Sequence, residues 1–329
     1  MTEWNPAWLM DEFRAFERSL ALRTAIEMDL FTRIGAGANT VRALAAETGA
    51  SERGLRALCD HLAIQGHLLK QGARYSLTLN SRLYLTRASP AYLGSAAKFL
   101  AGDATVAAFC GLRRAVEQGS SGRVELDWVE YARSMAPLAQ RVAELAAAAL
   151  EVDSAGSIRV LDIAAGHGLY GLAIAAQNSS AQIFALDSPQ VMEIALENAR
   201  RAGVAERYHP IHGDALEAGF GGPYDLALAA NFGHHFDEAA NVQLFQKTRA
   251  ALKPAGRIAL IDFVLNADRV SPLPDASFAL TLFATSARGA VYTFQEYSRM
   301  LRAAGFYRVR RLKAGDFGRC IITASARTR

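Results

Sequence analysis

The chain has 329 residues, 51% hydrophobic and 21% charged, with 36 Lys and Arg against 32 Asp and Glu for a formal net charge of +4. That length allows two domains with sizeable cores, and so mild a charge gives no signal for a polyanionic partner. No apolar run approaches the roughly 18 residues of a membrane span, the start lacks the basic-then-apolar pattern of a secretory leader, and Cys59, Cys110 and Cys320 lie far apart without a CxxC pair, so a cytoplasmic chain with buried free thiols is expected, without disulfide framework or thiolate metal site.

Residues 7 to 34 keep an apolar residue every three or four positions, which predicts amphipathic helices ended by Gly35 and Gly37. Thr40 can cap a helix over VRALAAET that Gly49 stops, and Ser51 can cap a second one that Gly66 stops. LLKQGARYSLT then predicts two strands around Gln71-Gly72, so the order helix, helix, hairpin is that of a winged helix. From 90 to 153 the pattern is helical, interrupted at Gly102, at 119–122 and at Pro137, and DSAGS at 153–157 marks a domain boundary. Beyond it IRVLDIA, AQIFALD, RYHPIHGD, YDLALAAN and GRIALIDF alternate with helical stretches, which predicts a parallel sheet wrapped by helices.

Between the first of these strands and its helix stand Gly166, Gly168 and Gly171, in G-x-G-x-x-G spacing. In such sheets ligands sit beyond the carboxyl ends of the strands, where a Gly-rich turn lets the backbone approach closely. Asp187 ends the second strand, 19 residues after Gly168, where a carboxylate accepts ribose hydroxyls. NAD and S-adenosylmethionine both carry that ribose. Asp162, four residues before Gly166, is expected to separate them. Facing the loop, its charge beside a pyrophosphate would cost on the order of several kcal/mol, whereas the ammonium and sulfonium of S-adenosylmethionine would be attracted.

VLDIAAGHG resembles the first motif of class I S-adenosylmethionine-dependent methyltransferases, and nearly the whole chain is similar to the plant and bacterial small-molecule O-methyltransferases. The resemblance implies an α/β fold with a Rossmann-like seven-stranded methyltransferase domain, preceded by an all-α and winged-helix dimerisation domain. The expected division is a dimerisation domain over 1–105, connecting helices contributing to the active site over 106–156, and a cofactor-binding catalytic domain over 157–329. Asp162, Ala164, Gly166 and Gly168 match the cofactor loop, Asp187 the ribose-binding acid and Asp214-Ala215 the pair flanking adenine, with Ser188 and Asn231 completing the set. Alanine in the loop costs little if its φ stays negative. The family's cofactor-contacting lysine, four residues before the catalytic histidine, is here Ala230.

Methyl transfer is an in-line displacement, so the enzyme aligns the acceptor, excludes water and removes a proton. A phenol titrating near ~10 needs a base at neutral pH, and a histidine suits that role. In NFGHHFD, His234 falls where the family has its catalytic histidine, with His235 as an assisting group. Asp262, 28 residues later, matches the first of two supporting glutamates, whereas the second is replaced by Val291 and its neighbouring arginine by Tyr292. Tyr131 and Met135 resemble a segment that closes over cofactor and substrate, and Phe278, Leu282 and Phe283 fall on the helix that lines the acceptor pocket, which implies an apolar acceptor.

The expected activity is therefore methyl transfer from S-adenosylmethionine, leaving S-adenosylhomocysteine, to a hydroxyl of a small aromatic or polyketide-like metabolite. A carbon or nitrogen acceptor, or a member that binds the cofactor without methylating, is the alternative that Val291 motivates. A DNA-binding regulator is set aside because Glu52 and Asp60 offset Arg53 and Arg56 in the candidate recognition helix. No metal is expected, since His209 and His212 lie on a strand and no cysteine or paired carboxylate joins them with His234 and His235. The expected partners are a small acceptor and a second copy of the chain, with neither membrane nor nucleic acid.

Overall fold

Thr40 and Ser51 act as expected in the computed structural model, which describes residues 6–122, 124–153, 156–312 and 319–326. The chain divides into two units, 1–103 and 104–329. The first begins with α1 (Pro6–Phe13), α2 (Ala15–Glu27) and α3 (Leu30–Gly35). The Thr40 hydroxyl accepts from Ala43 N at 3.2 Å to open α4 (Val41–Thr48), which ends at Gly49 with φ 72°. Ser51 accepts from Gly54 N at 3.1 Å to open α5 (Glu52–Ile64). Such caps satisfy N–H groups that a helix leaves unpaired. The hairpin β1 (Leu68–Gln71) and β2 (Arg74–Leu77) pairs Leu68 with Leu77. Then come α6 (Leu79–Tyr84) and α7 (Ala97–Leu100). Leu30, Phe31, Leu44, Leu55 and Leu62 form the buried core of this winged helix.

The second unit takes in α8 (Asp103–Cys110), α9 (Leu112–Gln118) and α10 (Trp128–Ala149) before the sheet begins. Pro137 does not interrupt the chain's longest described helix but lies inside it. Proline there removes one hydrogen bond to the residue four back; Pro137 and Arg133 are both exposed, so water can take the freed carbonyl. Cys59 and Cys320 are buried as expected, whereas Cys110 is exposed. Ser154 and Ala155 of the expected boundary lie outside the described residues.

The sheet alternates β3 (Arg159–Ile163), α11 (Leu169–Gln177), β4 (Gln182–Asp187), α12 (Pro189–Arg201), β5 (Tyr208–His212), β6 (Tyr224–Ala230), α13 (Glu238–Ala251) and β7 (Leu252–Asp262). After β8 (Val264–Leu265), α14 (Leu273–Thr285), β9 (Tyr292–Thr293) and α15 (Phe294–Ala303), β10 (Tyr307–Leu312) and β11 (Cys320–Ser325) complete it. The order is β10-β11-β7-β6-β3-β4-β5, with β11 antiparallel to β7 and to β10 and the other pairings parallel. Leu161, Ile163, Ile183 and Ile258 are fully buried, as strands covered on both faces require. Because β3 has β4 on one side and β6 on the other, the winding reverses there, and a crevice opens at the carboxyl ends of these strands.

Candidate active site

The turn after β3 closes on backbone that L side chains rarely adopt: Ala164 has φ 52°, Gly166 58° and Gly168 75°. Ala164 therefore departs from the expectation of negative φ, at a cost of about 1–2 kcal/mol. Gly166 N donates to Asp187 Oδ2 at 2.8 Å and Ser188 N to Asp187 Oδ1 at 2.7 Å, which tie the turn to the end of β4. Gly168 caps α11 under close packing, since a Cβ there would lie 2.6 Å from the Tyr208 hydroxyl. A Cβ on Gly171 would lie 2.7 Å from Ile183 Cγ2 and 2.8 Å from Asp162 Oδ2.

Asp162 is not where the sequence places it. Only 1% exposed, it accepts from Gly171 N at 3.0 Å and anchors the start of α11 beneath the loop. Burial pushes its carboxyl up to about 7. It forms no part of the cavity wall, so the separation of cationic from phosphorylated ligands cannot rest on it.

That cavity, about 480 Å³, is walled by Ala164, Ala165, Gly166 and His167 of the loop, by Asp187 and Ser188, and by Asp214 and Ala215. Ala230, Asn231, Phe232, His235 and Phe236 follow β6, and Val124, Leu126, Trp128 and Tyr131 approach from α10 and the segment before it. Leu282, Thr285, Ser286 and Ala287 close the wall at the end of α14. No Lys or Arg is among the described wall residues. Burial holds the wall histidines neutral, His167 down to about 4 and His235, with His234 adding repulsion, down to about 3. The acids Asp187 and Asp214 remain. Burial raises Asp187, against the hydrogen bonds from Gly166 and Ser188.

His234 and Asp262, 28 residues apart, meet at 2.6 Å between Nδ1 and Oδ1, with both side chains buried. Oδ1 also accepts from Phe263 N at 2.8 Å, and Oδ2 accepts from the Tyr297 hydroxyl at 2.8 Å and His234 N at 3.3 Å. Burial pushes Asp262 up, but the imidazole and these bonds outweigh it and hold the carboxyl below its usual range. His234 lies one ring behind the wall, its centroid 4.3 Å from that of His235, whose ring meets Trp128 edge-on at 5.2 Å.

Of the expected acceptor-site residues, Tyr131 and Leu282 belong to the wall and Met135, Phe278 and Phe283 do not. Phe278 stacks on Phe263 with centroids 4.0 Å apart and meets the His234 ring edge-on at 5.2 Å, so it encloses the histidine instead. Gly168 likewise packs below the wall. Asn231, with φ 49°, donates from Nδ2 to the Tyr170 hydroxyl at 3.1 Å and accepts from Arg319 Nε at 2.9 Å. Sequence reasoning missed Tyr170, Arg319 and Tyr297. Tyr170, beside the glycines, could have been found; the other two come from distant segments with no spacing signal. Val291 is 2% exposed in an apolar cluster with Leu265 and Leu282, so no acid stands where the resemblance expects the second one. Among the described residues no group of three or more His, Cys, Asp or Glu could hold a metal ion.

Residues 124–307 match the model of the O-methyltransferase domain, and residues 10–87 that of the O-methyltransferase dimerisation domain. The chain belongs to the O-methyltransferase family. An acetylserotonin O-methyltransferase of Mus musculus is 27% identical, covering 92% of this chain and 84% of that protein. A 3-hydroxy-5-methyl-1-naphthoate 3-O-methyltransferase of Streptomyces sahachiroi is 25% identical, covering 95% and 93%. A solved structure from Nostoc punctiforme PCC 73102, described as a candidate O-methyltransferase, superposes with a TM-score of 0.92 at 38% identity, covering 98% and 100%. The human N-acetylserotonin methyltransferase in complex with S-adenosylmethionine shares the fold, with a TM-score of 0.86 at 21% identity over the whole of both chains.

As an O-methyltransferase, the chain is an enzyme that uses S-adenosylmethionine and acts on small molecules. The wall fits that cofactor: Asp187 and Asp214 give it the sign that suits a cationic ligand, and its described residues include no Lys or Arg, the Arg319 guanidinium standing behind Asn231. Among the described residues no helix is long and apolar enough to cross a membrane.

Proposed function

We propose that this O-methyltransferase is a homodimer that methylates a hydroxyl of a small aromatic or polyketide-like metabolite, with His234 as general base. The buried His234–Asp262 pair at 2.6 Å beside the cavity carries the reading. A carboxylate on Nδ1 fixes the tautomer that leaves Nε2 free to take a proton and stabilises the imidazolium that forms. Asp187 holds the ribose hydroxyls, Ser188, Asp214 and Ala215 border the adenine, and Ala164, Gly166 and Asn231 shape the methionine end. S-adenosylmethionine, when bound, supplies a methyl carbon activated by its sulfonium. The chain aligns the acceptor between Trp128, Tyr131, Phe236 and Leu282, excludes water and receives the hydroxyl proton on His234. Because His234 lies behind the wall, acceptor entry turns the His235 or Phe278 ring aside. The names of several relatives support the aromatic or polyketide-like class: one is a 3-hydroxy-5-methyl-1-naphthoate 3-O-methyltransferase, and others are O-methyltransferases of tetracenomycin polyketide synthesis and of mitomycin biosynthesis.

The test is to incubate the protein with methyl-labelled S-adenosylmethionine and small-molecule extracts of the cells that make it, then identify what becomes labelled. Label on an oxygen is expected. Label only on carbon or nitrogen would move the assignment to the reading that Val291 favours, in which one supporting acid is enough for a more activated nucleophile. His234→Ala lowers turnover by roughly two to four orders of magnitude while S-adenosylhomocysteine affinity in calorimetry stays nearly unchanged. Full activity in that variant would remove His234 from the role.

A further inference from the structure

Where the resemblance calls for a second acid, the chain has a buried Val291, yet the base is not left half supported. The carboxylate of Asp262 meets four donors, two on each oxygen, and one comes from outside its own strand and the turn that carries His234: the Tyr297 hydroxyl of α15, at 2.8 Å. Tyr297 is fully buried. Its close approach depends on Gly233, where a Cβ would lie 3.0 Å from the hydroxyl, and Asn241 pins that turn by donating to Gly233 O at 2.8 Å and Phe236 O at 3.2 Å. A buried hydroxyl must find an acceptor, and of those within reach this one has taken the oxygen that does not face the imidazole.

We propose that Tyr297 is a positioning residue for methyl transfer: its hydroxyl holds Asp262 Oδ2 so that Oδ1 faces Nδ1 of His234, a neutral brace on the one acid that supports the base. This rests on the reading of His234 as the base. The phenol locks the carboxylate rotamer and withdraws part of its charge, so the base is oriented by one moderated carboxylate instead of two full ones. Burial and the Asp262 charge hold Tyr297 in its protonated, donating form.

The ionisable groups around the pair come from every neighbouring element. They are His235 beside His234, Tyr131 of α10, Tyr170 of α11, Asp275 of α14, Tyr292 of β9 with its ring 5.3 Å from Tyr297, Cys320 opposite Asp262 on β11, and Arg319 over the Phe263 ring at 3.4 Å. None of these is changed by the variants that follow.

The experiment uses the full chain with 15N-labelled histidine, saturated with S-adenosylhomocysteine, and follows the Nδ1 proton of His234 by NMR, identified by its absence in His234→Gln. In Tyr297→Phe the carboxylate regains charge toward the imidazole. The proton is expected to move further downfield, and the pH at which the ring takes its second proton to rise by roughly 0.5–1 unit. In a protein with 3-fluorotyrosine placed at 297, a stronger donor in the same volume, both are expected to move the opposite way. Resonance and midpoint unchanged in both variants, or displaced in the same direction, would overturn the proposal and leave Tyr297 a packing residue. Should Tyr297→Phe fail to fold, the fluorinated protein alone decides by the direction of its shift. If His234→Gln still methylates, the base assignment fails by its own measurement, whatever the NMR coupling shows.

Discussion

At Asp262 every lone pair is spoken for, so the residue tolerates almost no change of chemistry. In Asp262→Asn the volume is kept, but the charge that favours the imidazolium is lost, and in the amide orientation that turns NH2 toward the ring Nδ1 must accept. That reverses the tautomer and leaves a proton on Nε2, where the base must be empty. Turnover is expected to fall by about three to four orders of magnitude, measured as S-adenosylhomocysteine release, with cofactor affinity held. The acid carries a stability signature too. Its folded pKa is depressed below the unfolded value of roughly 3.9, so the stabilisation is present above that value and lost as pH falls through the folded one. The denaturant midpoint of the wild type should thus exceed that of Asp262→Asn above about pH 5, and the gap should close in acid. A gap independent of pH would mean that charge at 262 does not stabilise the fold.

The start of α11 shows how an element can be legible while its chemistry is not. The G-x-G-x-x-G spacing marks the turn, but the last glycine serves packing, and Gly171→Ala is expected to cost about 1–3 kcal/mol of stability by driving a methyl into Ile183 and Asp162. Below it, Asp162 is neutral or charged according to pH. Its folded value of about 7 lies above an unfolded one near ~3.9, so the folded state holds more protons between them, and the contribution present in acid is gone above the folded value. Asp162→Asn keeps an acceptor for Gly171 N; it is expected to raise the urea midpoint of the ligand-free protein at about pH 8 and to lose that advantage toward pH 5. Caps, glycine stops and strand alternation could be read from the chain because they act within a few residues, and the His234–Asp262 pair because adjacent strands deliver their ends together. The direction in which Asp162 points, the left-handed Ala164, the intact helix through Pro137 and the reach of Tyr297 could not: Asp162 turns to Gly171 N once α11 has formed, Pro137 is tolerated because its face of α10 meets water, and Tyr297 arrives from 35 residues beyond Asp262.

For the molecule as a whole, the first unit carries an apolar face that nothing in its own chain covers among the described residues. Helix α1 has no buried residue, yet Trp8 is 63% exposed, Phe13 64% and, at the start of α2, Phe16 62%, with Leu9 and Met10 also in the open. Eight residues are too few to hold a helix in water by their own hydrogen bonds, and most helical stability in proteins comes from packing an apolar face. A cluster of large apolar side chains of this kind marks an interaction surface. The match of residues 10–87 to a dimerisation domain says what kind of occupant to expect, namely the same surface of a second copy. Obligate interfaces bury on the order of 2,000 Å² or more and are rich in such residues, so charge at their centre is poorly tolerated. The wild type should therefore scatter light as a particle of two chains at micromolar concentration, and the double variant Trp8→Glu, Phe13→Glu as a single chain. Because neither residue touches the winged-helix core, the variant should keep its far-ultraviolet circular dichroism apart from the loss of α1, which separates a broken interface from a broken fold. A wild type that runs as one chain at every concentration would sink the homodimer, and with it the explanation of why α1 is helical at all.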